Sequence, residues 1–199
     1  MTAETHIKKP RAAEYPALLN IWAAAVRATH DFLSEADFQE IYGQLARTYL
    51  PAVDLYAFYY TDPASAELRG GTCAAWPGIG VLPENGLCAG FIGCSRLEEK
   101  REEALAQTEP PPVPGIQVEM LFVDPVFHRR GIGRALLDFV GRRWPRIWLD
   151  VNEQNQAAAR FYSKYGFKRI GRSNLDGQGR PYPLLHLYYQ APGFKAFNS

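Results

Sequence analysis

The sequence predicts a single α/β domain, a mixed β-sheet with helices on both faces. Two observations carry this. Two amphipathic helical segments come first, followed by a run of alternating or β-branched segments that read as strands. The second half then alternates strand, helix, strand, helix, strand, strand, an order that suits a mixed sheet covered by helices.

Residues 5–10 predict a short edge strand stopped by Pro10. From Glu14 to Ala28, Leu18, Leu19, Trp22, Ala25 and Val26 recur at helical spacing. Ser34, with Glu35 and Asp37 behind it, reads as the N-cap and acidic first turn of a second helix ending near Pro51. Val53–Tyr60 and Leu87–Ser95 read as the strands of a hairpin, joined by a long Pro- and Gly-rich loop over 61–86. A charged segment with helical propensity precedes the Pro-rich run before Ile116–Val123, a strand. Gly131–Arg143 then predicts a helix, Ile147–Val151 a strand, and Asn155–Tyr165 a helix closed by Gly166. Phe167–Arg172 and Leu184–Gln190 complete the sheet. The whole chain, 1–199, is expected to be one domain.

With 47% hydrophobic residues and a formal net charge of +1, the chain has the makings of a core and no global pull toward nucleic acid or membrane. No apolar run approaches the roughly 18 residues of a membrane span. Cys73, Cys88 and Cys94 lie in no metal-binding or disulfide spacing, so free thiols, no metal and a cytoplasmic setting are expected.

The segment V-E-M-L-F-V-D-P-V-F-H-R-R-G-I-G-R-A-L-L carries the chemistry. A buried strand feeds a glycine turn that opens a helix. Free N–H groups at a helix start bind phosphate oxygens, helped by the helix dipole. Arg129, Arg130 and Arg134 add positive charge there, which suits a diphosphate. Neither the Walker loop nor G-x-G-x-x-G is matched.

This layout resembles motif A of the GNAT acetyltransferase superfamily, Q/R-x-x-G-x-G/A, here His128-Arg129-Arg130-Gly131-Ile132-Gly133. His128 stands where Gln or Arg is usual. Downstream, Asn155, Ala158, Phe161, Tyr162, Lys164, Gly166 and Phe167 match the superfamily's second signature, Asn-x-x-Ala followed by Phe-Tyr-x-Lys-x-Gly-Phe. A-T-H-D-F-L-S, V-N-E-Q-N and G-R-S…D-G-x-G-x-P-Y-P-L-L-H-L resemble the bacterial YjaB-type branch, against which 61–86 and 95–115 look like insertions.

The resemblance implies a fold in which the strand before motif A splays from its parallel neighbour and acetyl-CoA, the cosubstrate, lies in the opening. It implies cofactor binding by Leu121, Phe122 and Val123, by Arg129, Arg130, Gly131, Ile132, Gly133, Arg134 and Ala135 at the pyrophosphate, and by Asn155, which alternatively caps its helix. Tyr162 is the implied general acid for the departing thiolate, alternatively a packing aromatic. Glu119 is the implied general base, alternatively an exposed strand carboxylate. His30 and Asp31, between the N-terminal helices, and Tyr182 and His186, near the last strand, are acceptor-side candidates; a packed His30 and a capping Asp31 are the alternatives.

The implied activity is N-acetylation of a primary amine, tilted toward a protein or peptide lysine, by a monomer or homodimer. A small-molecule amine acetyltransferase and a non-catalytic acyl-CoA sensor are the other readings.

Overall fold

The strands observed are β1 (Thr5–Lys8), β2 (Asp54–Tyr60), β3 (Leu87–Arg96), β4 (Gly115–Val123), β5 (Arg146–Asn152), β6 (Lys168–Ser173) and β7 (Leu184–Gln190). They form one mixed sheet in the order β1-β2-β3-β4-β5-β7-β6. The structure, a computed structural model, describes residues 5–61, 86–96 and 115–192. The predicted loop over 61–86 and the charged segment after β3 lie almost wholly outside the described residues, as does Cys73. The chain packs as two units, Met1–Gly93 with Met120–Leu137, and Cys94–Glu119 with Asp138–Ser199.

In the first unit β1 runs antiparallel to β2, from Thr5 opposite Tyr60 to Lys8 opposite Ala57. Helix α1 (Tyr15–Thr29) has Pro16 in its first turn, where the missing N–H costs no hydrogen bond. Its buried stripe includes Leu18, Ile21, Trp22, Ala25 and Val26. Helix α2 (Glu35–Gln44) starts at Ser34, whose Oγ accepts from the Asp37 N–H at 3.1 Å. It continues through a π-helical turn, Leu45–Tyr49, and a last helical turn, Leu50–Ala52. The core centres on Trp22, which packs on Phe38 at 5.1 Å between ring centroids and edge-on to Phe122 at 6.3 Å. Gly90 lets two backbones approach closely: a Cβ there would lie 2.8 Å from the Phe122 carbonyl oxygen. Cys88 is buried in this core, and Cys94 is buried as well.

One buried carboxylate ties α1 to β2. Glu14 is 2% exposed and accepts from the Tyr59 hydroxyl at 2.7 Å and from the Arg11 N–H at 2.8 Å. Burial, then the neighbouring Cys88 and Glu14, push the Tyr59 phenol well above its ordinary pKa, so it stays a donor.

In the second unit the parallel ladder joins Gly115–Val118 of β4 to Arg146–Leu149 of β5. β4 runs on to Val123 beyond its last residue paired with β5. β7 pairs antiparallel with all of β5, and β6 pairs with β7 through an irregularity between Arg169 and Gly171. Helix α3 (Ile132–Gly141) leaves the first unit and enters the second at Asp138. Helix α4 (Gln156–Tyr165) ends at Gly166, whose φ of +120° few side chains tolerate. Tyr165 packs on Tyr189 at 5.0 Å and donates to Asp138 at 2.8 Å. Among the described residues, no helix is long and apolar enough to cross a membrane.

Glu14→Ala should therefore strand a buried phenol donor and remove a charge-assisted acceptor. Urea unfolding should show a loss of about 2–3 kcal/mol. Glu14→Gln, which keeps an oxygen facing Tyr59, should lose less; equal losses would assign the effect to packing instead.

Candidate functional site

The first unit holds the end of β4 and the turn after it. Leu121, Phe122 and Val123 are half-buried, and the Phe122 ring is fixed by Trp22 and by Phe91 at 5.8 Å. Asp124 then accepts from the Val126 N–H at 3.1 Å and starts a 3-10 turn, Pro125–Phe127. Phe127, fully buried and 5.5 Å from the Tyr60 ring, anchors that turn. Beyond it His128, Arg129 and Arg130 are all exposed.

Two left-handed residues reverse the chain here, Arg129 at φ 62° and Gly131 at φ 80°. The first helical bond of α3 runs from the Ala135 N–H to the Gly131 carbonyl at 2.9 Å. The N–H groups of Ile132 and Gly133 therefore have no intrahelical acceptor, as at any helix start. Ile132, Leu136, Leu137 and Val140 bury the opposite stripe, which fixes the direction in which that start faces. Arg130 sits over the Phe127 ring at 5.6 Å. Nothing lies within 4 Å of where a Gly131 Cβ would be. An open turn, bare amides and cationic side chains are what an anionic phosphate needs.

The histidine at the first motif position is a surface residue with a local task. His128 Nε2 donates to the Val123 carbonyl at 3.1 Å, so the side chain folds the turn back onto the last residue of β4.

His30 and Asp31 follow α1. Thr29 Oγ1 donates to the Ala25 carbonyl at 2.7 Å, so His30 Nδ1, 2.8 Å away, is the donor between the two side chains. Burial lowers the His30 pKa, which keeps the ring neutral, and it packs on Phe32 at 5.2 Å. Asp31 is exposed and caps nothing; that task falls to Ser34.

In the second unit Asn155 and Tyr162 belong to α4. Asn155 is the N-cap, its Oδ1 accepting from the Ala158 N–H at 3.0 Å. It is 7% exposed, and its Nδ2 donor has no partner among the described residues. Tyr162 is 8% exposed and packs edge-on against Phe161 and Phe167. Burial pushes its phenol well above the ordinary value, and the hydroxyl has no hydrogen-bond partner among the described residues. Packing and proton donation are thus compatible at this residue. Glu119 is exposed on β4 and accepts from Ser95 Oγ.

Tyr182 is buried in the segment joining β6 to β7. His186 does not join the α4 residues. Tyr189 packs on α4, and strand alternation turns His186 to the other face of β7. There it meets Asp150 and Ser173 at 2.6 and 2.7 Å. Neither residue stands out in the sequence, because each is isolated in its segment and only the strand register brings them together.

A family profile described as "Acetyltransferase (GNAT) domain" matches residues 78–169. The peptidyl-lysine N-acetyltransferase YjaB of Escherichia coli is 32% identical over 183 residues, 92% of this chain and 95% of that protein. Its Salmonella typhimurium counterpart is 30% identical over 92% of this chain and 97% of its own. The solution structure of apo YjaB from Escherichia coli superposes with a TM-score of 0.65 at 29% identity, covering 94% of this chain and 99% of that one. The PaiA N-acetyltransferase of Thermoplasma acidophilum, crystallised with coenzyme A, shares the fold at a TM-score of 0.61 and 14% identity, over 94% and 99% of the two chains.

Gly131→Val places a branched residue at φ 80°, a conformation costing L-residues roughly 1–2 kcal/mol. The turn should relax and misdirect the amides of α3. Isothermal titration with coenzyme A should show binding at least about tenfold weaker, with the circular dichroism spectrum unchanged. Equal affinities would remove this turn from the phosphate site.

Proposed function

Since the chain belongs to the GNAT acetyltransferase family, we propose that it moves the acetyl group of acetyl-CoA directly to a primary amine, with a protein or peptide lysine as acceptor. The observation supporting the transferase reading is the left-handed turn at Arg129–Gly131, beyond which the first amides of α3 have no intrahelical acceptor. Similarity over nearly the full length of two peptidyl-lysine N-acetyltransferases supports the lysine acceptor.

Acetyl-CoA supplies an acyl thioester, whose carbonyl carbon an amine nitrogen attacks. The residues present fit that ligand. The first-turn amides of α3, with Arg129, Arg130 and Arg134, hold the pyrophosphate. Backbone groups of Leu121 and Val123 bind the pantetheine arm in strand fashion. Asn155 uses its oxygen as the helix cap and keeps its Nδ2 donor for the arm.

Tyr162 holds the proton that the departing sulfur takes. Its buried phenol resists ionisation, so it remains a donor throughout the neutral and mildly alkaline range. Glu119, exposed and steadied by Ser95, takes the proton of the incoming ammonium, directly or through water. Asp31 and Tyr182 are acceptor-side residues in this reading.

Release of free thiol from acetyl-CoA, measured across lysine peptides and small amines, tests the proposal. Turnover confined to small amines would reassign the acceptor, and none with any amine would favour an acyl-CoA sensor.

Saturating acetyl-CoA, at about 100 times its dissociation constant, should raise the unfolding free energy by ~2.7 kcal/mol. A melting temperature unmoved by millimolar acetyl-CoA would count against the cofactor assignment.

Tyr162→Phe removes one oxygen and keeps the ring packed between Phe161 and Phe167. Acetyl-CoA affinity should stay within a few-fold, while the single-turnover rate falls by about 10²–10⁴. That loss equals roughly 3–6 kcal/mol of transition-state stabilisation. A rate within about threefold of wild type would leave positioning alone to explain catalysis.

A further inference from the structure

On the face of β7 turned away from α4, three strands each contribute one side chain to a hydrogen-bonded series. His186 Nδ1 lies 2.6 Å from Asp150 Oδ1, and His186 Nε2 lies 2.7 Å from Ser173 Oγ. A carboxylate can only accept, so the Nδ1–H donates to Asp150. In the neutral imidazole Nε2 is then the acceptor for the Ser173 hydroxyl. The order is nucleophile, base and orienting carboxylate, with each ring nitrogen in the role it has in serine hydrolases.

Strand register builds this arrangement. Asp150 stands opposite His186 across β5 and β7, and Gly171 stands opposite His186 across β6 and β7. A Cβ at Gly171 would lie 3.1 Å from His186 Cδ2, so the absence of a side chain there lets the ring lean toward Ser173. The His186 and Asp150 side chains are 30% and 35% exposed, within reach of a small molecule.

We propose that Ser173 is an activated nucleophile, forming with His186 and Asp150 a second acyl-transfer site for small activated esters, separate from the acetyl-CoA reaction. Ser173 Oγ bonds to the ester carbonyl carbon as its proton passes to His186 Nε2. The bond to the alcohol oxygen breaks, and the alcohol leaves with that proton. Water then cleaves the acyl-serine, restoring the Oγ–H and releasing the acid. Asp150 is a positioning residue that holds the imidazole in the reactive tautomer.

A purely structural brace between the strands would leave Ser173 no more reactive than other serines, and a fluorophosphonate probe separates the two cases. Serine Oγ displaces fluoride from phosphorus, and the proton goes to His186. Peptide mapping of the native full-length protein should find the adduct on Ser173. Labelling should be absent in Ser173→Ala and at least about 100-fold slower in His186→Gln. Asp150→Asn should slow it too, without changing the mapped site. Hydrolysis of p-nitrophenyl acetate should exceed the Ser173→Ala background. Ser173→Ala should keep the wild-type thermal shift with acetyl-CoA, so failure of the cofactor reading would leave the labelling result standing. No adduct on Ser173 of the native protein would overturn the proposal. So would equal labelling of a folded His186→Gln variant, or ester hydrolysis unchanged by Ser173→Ala.

Discussion

The structure turns on a requirement of the peptide backbone, that its polar groups find partners wherever water is excluded. β4 meets this with β5 only from Gly115 to Val118, then runs five residues further to Val123. In that last stretch other groups settle the geometry. The Asp124 N–H bonds to the Ala89 carbonyl at 3.0 Å, and His128 bonds to the Val123 carbonyl. The strand end is thereby fixed without a full ladder on both edges, and the turn that follows is held against it. A strand whose edge is only partly committed to its neighbours can recognise an extended ligand arm through main-chain atoms.

The turn itself depends on conformations that most side chains avoid. Gly131 takes a positive φ at little cost, whereas Arg129 takes one despite its Cβ. Fully buried Phe127 on one side and buried Ile132 on the other leave the connecting residues little freedom. Strain is tolerated where anchors over-determine the path. Here the outcome is a cationic, open helix start.

Two buried tyrosines show how environment divides similar groups between roles. Tyr59 spends its proton on Glu14 and fastens α1 to β2. Tyr162 is also reluctant to ionise but commits its hydroxyl to no described neighbour. The first is a structural donor, and the second is the donor that the proposed reaction assigns to the departing thiolate.

Much of this was legible in the residues. Helical spacing at Leu18, Trp22 and Val26, the cap at Ser34 and the stop at Gly166 act within a few residues of chain, so the sequence by itself determined the elements and their order. The glycine turn and the Asn155 to Phe167 signature were legible for the same reason, since each is a contiguous segment. What only the tertiary structure decided involves partners distant in sequence. Nothing local says that Glu14 will meet Tyr59. His186, read from sequence as an acceptor-side residue, finds Asp150 and Ser173 because the β5–β7–β6 register sets them side by side. A one-residue slip would turn that face inside out, and register is set by the packing of the whole sheet rather than by any segment in it.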